Sequence, residues 1–220
     1  MQFKAAIFDM DGTLVDSLWV WEIIWKELGL FFLKDENFHP TVEDDKTIRT
    51  ILLVDGAEML HKNYNLGNSG DEVHKVMVDT TIKFYNEQVE LKAGVFEFLT
   101  HLKEKNIPMC IASATAPDLI DYAAKRCGLY NFFDKIISCA DVGKGKEEPD
   151  VFLKALEYLG TSAGETCVFE DSAIALETAA RAGFLTVGIY DRNNFGHEIL
   201  KEKANIYIDD GETLMKVLKN

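Results

Sequence analysis

Six short and almost continuously apolar runs constrain the fold of this chain most. They cover residues 3–8, 108–112, 135–139, 166–169, 184–190 and 205–208. A run of that length without polar alternation predicts a strand buried on both faces. Helical patterns lie between most of them. Val151, Phe152, Ala155, Leu156 and Leu159 keep one face apolar and stop at Gly160, a natural residue to follow a helix. Pro117 opens another helix that Gly128 closes, and residues 173–182 make a third that ends at Gly183. Strands alternating with helices predict an α/β fold built on a doubly wound parallel sheet. In such a sheet ligands bind beyond the carboxyl ends of the strands, so the polar residues just after each strand are the candidates for chemistry.

The alternation is interrupted once. Residues 16–90 carry helical patterns and loops such as 65–70, with no convincing strand. This stretch predicts an α-helical cap domain (16–90) inserted into an α/β core domain (1–15 and 91–220), with connections near 14–17 and 87–94. Asp16 or Ser17 is expected to cap the first inserted helix. Leu18, Trp21, Trp25 and Leu28 fall on one helical face, and Trp21 and Trp25 fit the insert's own core. Trp19 is the better candidate for facing a ligand. Lys46 and Arg49 are cations within reach of one, although a solvated helix face is the simpler expectation for both.

Charge limits what the chain binds. The formal charge is −14, and residues 16–90 hold 7 basic and 15 acidic residues. That balance argues against nucleic acid or an anionic membrane as partner. It also opposes an anionic small substrate unless a metal and a few cations gather at the site. The first residues lead straight into an apolar strand without signal-peptide features, and no run is long enough to span a bilayer. Cys110, Cys127, Cys139 and Cys167 are scattered without C-x-x-C spacing, as expected of reduced thiols in a cytoplasmic protein.

Four strand ends carry the chemistry. The first run leads into Asp9-Met10-Asp11-Gly12-Thr13. Alternate residues of an extended chain point the same way, so Asp9 and Asp11 can flank one reacting atom while Gly12 turns the backbone; an acidic turn is the plainer alternative. The second run ends in Ser113-Ala114-Thr115 before the helix at Pro117, which suits either a phosphate oxygen or an ordinary N-cap. The third leads to Gly143-Lys144-Gly145-Lys146-Glu147-Glu148-Pro149-Asp150, in which a lysine neutralises phosphate or the loop is merely solvated. The fourth ends in Glu170-Asp171-Ser172, acids that serve a metal or favour a helix N-terminus.

Together and in this order, from residue 3 to about 188, these features resemble the haloacid dehalogenase-like hydrolase superfamily. That pattern is D-x-D-G-T after the first strand, Ser/Thr after the second, Lys in a later loop and an acidic pair after the fourth. The likeness extends to the helical-cap branch that includes phosphoglycolate phosphatase-like enzymes and β-phosphoglucomutase. The resemblance implies that Asp9 attacks phosphorus to form an aspartyl-phosphate, and that Asp11 exchanges protons with the leaving oxygen and then with water. It implies Mg²⁺ held by Asp9, the Asp11 main-chain carbonyl and Asp171, with Glu170 a ligand or a neighbour of one. Ser113 and Lys146 would hold the phosphoryl group, with Gly12, Thr13 and Ala114 lining its pocket and Trp19 and Arg49 the cap residues nearest a leaving group.

The lysine loop departs from the family's G-K-P-x-P-D, since Glu147 replaces a proline and is able to pair with the lysine; spacing to Pro149-Asp150 favours Lys146 over Lys144. Ala175 replaces a glycine common after the acidic pair. The expected function is a phosphatase acting on a small phosphorylated metabolite, as a monomer. A phosphomutase is the alternative, against which stands Trp21 at the place of that enzyme's cap histidine, with His39 the next histidine downstream. Thr13 is also usual in phosphatases, where the mutase has valine. Asp11 argues against dehalogenase or phosphonate chemistry, and the intact motif set argues against a non-catalytic binding protein.

Overall fold

The computed structural model describes residues 1–49 and 51–219. The chain divides into two compact units, residues 1–18 with 89–220 and residues 19–88. Asp16, Ser17 and Leu18, and Val89 and Glu90 at the return, thus belong with the sheet rather than with the insert.

The first unit is a six-stranded sheet in the order β3-β2-β1-β4-β5-β6, with every neighbouring pair parallel. The strands are β1 (Ala5–Phe8), β2 (Met109–Ser113), β3 (Ile136–Ser138), β4 (Thr166–Glu170), β5 (Leu185–Ile189) and β6 (Ile206–Ile208). Each lies within two residues of an apolar run. β1 is central: the chain proceeds outward on one side through β2 and β3, then returns to β4 on the other. The order therefore reverses between β1 and β4, and a crevice opens at their carboxyl ends.

Successive residues of a strand face opposite sides, and two apolar layers result. On one side Phe8 stacks on Phe169 with ring centroids 4.4 Å apart, and Phe98 and Phe133 meet Phe8 edge-on. On the other, Ile7, Cys110, Ala112 and Val168 pack under Phe152 and Ala155 of α7 (Asp150–Leu159) and Ala175 and Ala179 of α8 (Ala173–Arg181). The four cysteines are free thiols, and burial pushes Cys110 up to about 12 and Cys139 up to about 11.

The second unit holds only helices among its described residues: α1 (Val20–Leu28), α2 (Val42–Ile48), α3 (Leu53–Tyr64) and α4 (Gly70–Glu87), with Gly29–Leu33 prolonging α1 as a π-helical turn. Trp25 is buried beside Val20, Ile24 and Leu28. The expected cap at Asp16 or Ser17 is not made: Trp19 occupies the N-cap position, its side chain making no capping hydrogen bond, and Ser17 donates its hydroxyl to Asp11 instead. Helices α3 and α4 approach closely at Gly70, where a methyl group would overlap the Glu58 side chain and lie 2.9 Å from its Cα.

Candidate active site

Backbone geometry at the end of β1 sets the site. The Asp9 N–H donates to the Phe169 carbonyl at 2.9 Å, which carries the strand one residue beyond Phe8. The chain then turns around the Met10 carbonyl, which accepts from Leu14 at 2.9 Å and Val15 at 3.0 Å. The Met10 side chain is fully buried while Asp9 and Asp11 point elsewhere, as alternation requires. Gly12 has φ +76°, and a methyl there would overlap the Asp171 carboxylate, so only glycine fits without displacing it.

The turn faces the acids of β4. Oxygens of Asp9, Glu170 and Asp171 all lie within 4.8 Å of one another, and all three residues are buried. Lys146 reaches in from the loop before α7 and donates to Asp9 Oδ1 at 2.5 Å and to Glu170 Oε1. Its loop is fixed by the Glu147 carbonyl, which accepts from Thr178 Oγ1 at 3.1 Å on α8. Glu147 lies back over Gly145 rather than against the lysine, so the expected Glu147 pairing gives way to Asp9 and Glu170. Lys144 stays half-exposed on Asp150.

Electrostatics follow from packing three carboxylates around one ammonium. Burial pushes the Asp9 carboxyl well above the usual range; Lys146 opposes this, and Glu170, Asp171 and Asp11 reinforce it. Burial, with Glu170 as the next cause, raises Asp171 to about 7. Burial works against the charged form of Lys146, but Asp9 and Glu170 outweigh it and hold the ammonium above its ordinary pKa. Ionised together, the three carboxylates outnumber the one ammonium and place net negative charge on hard oxygen donors in a dry site. That donor set fits a divalent cation such as Mg²⁺ or Ca²⁺.

Asp11 sits beside this cluster with both carboxylate oxygens engaged, Oδ1 by Ser17 Oγ at 2.7 Å and Oδ2 by Thr115 Oγ1 at 2.8 Å. Ser113, buried at the end of β2, accepts the Thr115 N–H at 3.1 Å, and Ala114 between them is exposed. Neither hydroxyl caps α6 (Pro117–Arg126), whose N-cap is Ala116, so the ordinary capping alternative does not apply. Nor do Glu170 and Asp171 cap α8; Ser172 does. The Thr13 hydroxyl is buried and donates to Asp171 Oδ1 at 3.0 Å, since a buried carboxylate requires donors.

In the helical unit, Trp19 meets Phe84 edge-on at 4.6 Å and is half-buried. Trp21 is only half-buried, 5.3 Å from the buried Trp25. Arg49 corrects the expectation of a solvated face: it is held by Asp45 at 2.7 and 3.0 Å, with its guanidinium 5.5 Å from the Trp21 ring. Lys46 is exposed.

Three contributors escaped the sequence reading. Lys92 donates to the Gly12 carbonyl at 2.7 Å, the Tyr190 carbonyl at 3.0 Å and Asp191 Oδ2 at 2.8 Å. Asn194 donates to Asp171 Oδ2 at 2.6 Å. Asp191 and Asn194 follow β5, so their place after a strand's carboxyl end is the signal that marks them; Lys92 had none, being one lysine among many.

Known proteins share these features. A family model described as haloacid dehalogenase-like hydrolase matches residues 3–183. The chain is 27% identical over 194 residues to β-phosphoglucomutase of Bacillus subtilis, covering 84% of this chain and 83% of that one. It is 27% identical over 218 residues to a phosphorylated carbohydrates phosphatase of Thermotoga maritima, covering 98% of each. A crystal structure of a protein described as a β-phosphoglucomutase from Thermotoga maritima superposes with TM-score 0.80 at 25% identity, over 100% of this chain and 99% of that one. With its D-x-D-G turn, buried lysine and acidic pair at one sheet crevice, this chain is an enzyme that belongs to the haloacid dehalogenase-like hydrolase family.

Proposed function

We propose that the protein is a divalent-metal-dependent phosphatase, with Mg²⁺ as its ion, that hydrolyses a small phosphorylated carbohydrate or related metabolite through an aspartyl-phosphate on Asp9. The observation that carries this reading is the position of Asp9 at the sheet's switch point, salt-bridged to Lys146 and within ligand distance of Glu170 and Asp171. A phosphatase relative covering 98% of both chains supports the substrate class.

In the first half-reaction an Asp9 oxygen attacks phosphorus, the P–O ester bond breaks, and Asp11 gives its proton to the leaving alkoxide. In the second, water attacks the same phosphorus while Asp11 takes up its proton, the bond to Asp9 breaks and inorganic phosphate departs. Thr115 and Ser17 hold Asp11 in place for both transfers. Ser113 and Lys146 hold phosphoryl oxygens and offset their charge, which is most of what such a transfer requires. Asp9, Asp171 and the Asp11 carbonyl would hold Mg²⁺, which would supply electrostatic stabilisation of the transferring group.

Release of inorganic phosphate from a panel of sugar and polyol phosphates, with Mg²⁺ or with EDTA, tests the reading. Activity is expected only with metal, and Asp9→Asn is expected to reduce it to background in a folded protein. Full turnover after thorough metal removal, or phosphate trapped on a residue other than Asp9, would overturn it. Similarity to β-phosphoglucomutase keeps the mutase reading in play. Trp21 speaks against it, because an indole transfers no proton where a cap histidine would be needed. Supplied with β-glucose 1-phosphate and a trace of the 1,6-bisphosphate, the enzyme should release phosphate rather than form glucose 6-phosphate.

A further inference from the structure

The loop after β5 is built around Asn194. The Asn194 N–H donates to the Asp191 carbonyl at 3.0 Å, and its side-chain oxygen accepts from Phe195 N at 2.8 Å. Asp191 is itself pinned, by Lys92 on Oδ2 at 2.8 Å and by Asn193 N on Oδ1 at 2.8 Å. With its oxygen committed to Phe195, the amide has one orientation open to it, and its two N–H donors face Asp171. They reach the Asp171 main-chain oxygen at 3.1 Å and Oδ2 at 2.6 Å.

Asp171 differs in this respect from its neighbours. Asp9 and Glu170 share the Lys146 ammonium, whereas among the described residues the two oxygens of Asp171 accept from neutral groups, Thr13 on Oδ1 and Asn194 on Oδ2. Neutral donors fix the plane of a carboxylate without cancelling its charge. Each oxygen also keeps lone-pair capacity for a further partner.

We infer that Asn194 is a positioning residue for the metal site, holding Asp171 in the orientation in which it binds a divalent cation. This inference rests on the reading of Asp9 and Asp171 as ligands under the proposed function. Lys92 completes the arrangement. It joins the same loop to the Gly12 carbonyl, so the two acid-bearing segments share one anchor.

Calorimetric titration of the metal-free protein with Mg²⁺, in the absence of substrate, tests it. Asn194→Ala removes the amide. Asn194→Leu removes it while keeping the same branched skeleton and serves if the alanine variant fails to fold. Metal-free melting reports any general loosening. The expected result is a Kd for Mg²⁺ raised about tenfold or more, with kcat at saturating Mg²⁺ within about threefold of wild type, as for loss of a partner that orients a ligand. An unchanged Kd in the folded variants overturns the inference, as does a loss of kcat that saturating Mg²⁺ does not restore. A wild-type protein that binds no Mg²⁺ overturns the metal reading itself, which separates the two failures.

Discussion

At the scale of single residues, chemistry depends on which charges are placed side by side. Lys146 is the counterion of two buried carboxylates, Asp9 and Glu170. Lys146→Met is expected to lower kcat about 10²–10³-fold, the range for loss of a preorganised charge-stabilising donor. Lys144→Met, which removes only a surface contact with Asp150, should leave kcat unchanged, and equal losses would shift the role to Lys144. Gly12→Ala meets a double obstacle: φ of +76° and overlap with Asp171. It should weaken Mg²⁺ binding or turnover about 10–100-fold, measured by calorimetry and phosphate release. The glycine was visible in the sequence as a turn residue, but its closeness to an acid 159 positions later was not.

At the scale of elements, six apolar runs became six strands because buried parallel strands have no solvent face to interrupt them with polar residues. The inserted helices were harder to place. A Ser/Asp pair reads as a helix start, yet Ser17 has a stronger partner in Asp11, and α1 begins three residues later at Val20. Arg49 likewise reads as solvated, because sequence spacing alone does not tell a solvated i,i+4 pair from a sequestered one. The Arg49 and Asp45 side chains are 12% and 7% exposed, so this pair is sequestered within α2 and its C-cap. Asp45→Ala removes the carboxylate that neutralises this sequestered guanidinium and should cost about 3 kcal/mol in chemical denaturation, and Asp45→Asn less, since an acceptor remains. An unchanged midpoint for Asp45→Ala would show the pair contributes nothing.

At the scale of the whole molecule, folding gathers acids from residues 9, 170 and 171 into one dry site, so stability depends on pH and metal together. The Asp171 pKa is raised to about 7 by burial and by neighbouring Glu170, above its unfolded value of about 3.9. Between those values the native metal-free protein holds a proton that the unfolded chain has released. The stabilisation contributed by Asp171 is therefore fully present below its unfolded pKa and is lost as pH rises towards 7. Thermal melts in EDTA between about pH 5 and 8 should show this decline, and Asp171→Asn should remove Asp171's part of it. Saturating Mg²⁺ should offset it, by about 2.7 kcal/mol at a hundredfold excess over Kd. A pH-independent gap between wild type and Asp171→Asn would contradict this.

The sequence by itself determined the parallel α/β architecture, the helical insert and the strand ends at which chemistry is possible, because periodicity and turn residues are local properties of the chain. Only the tertiary structure decided which polar residues meet. It paired Lys146 with Asp9 and Glu170, engaged Thr13 and Asn194 on Asp171, and tied Lys92 to the Gly12 turn. Those choices are hydrogen bonds and ion pairs between residues as far apart in the chain as Thr13 and Asp171, made where burial forbids an unpartnered charge, and no local pattern encodes them.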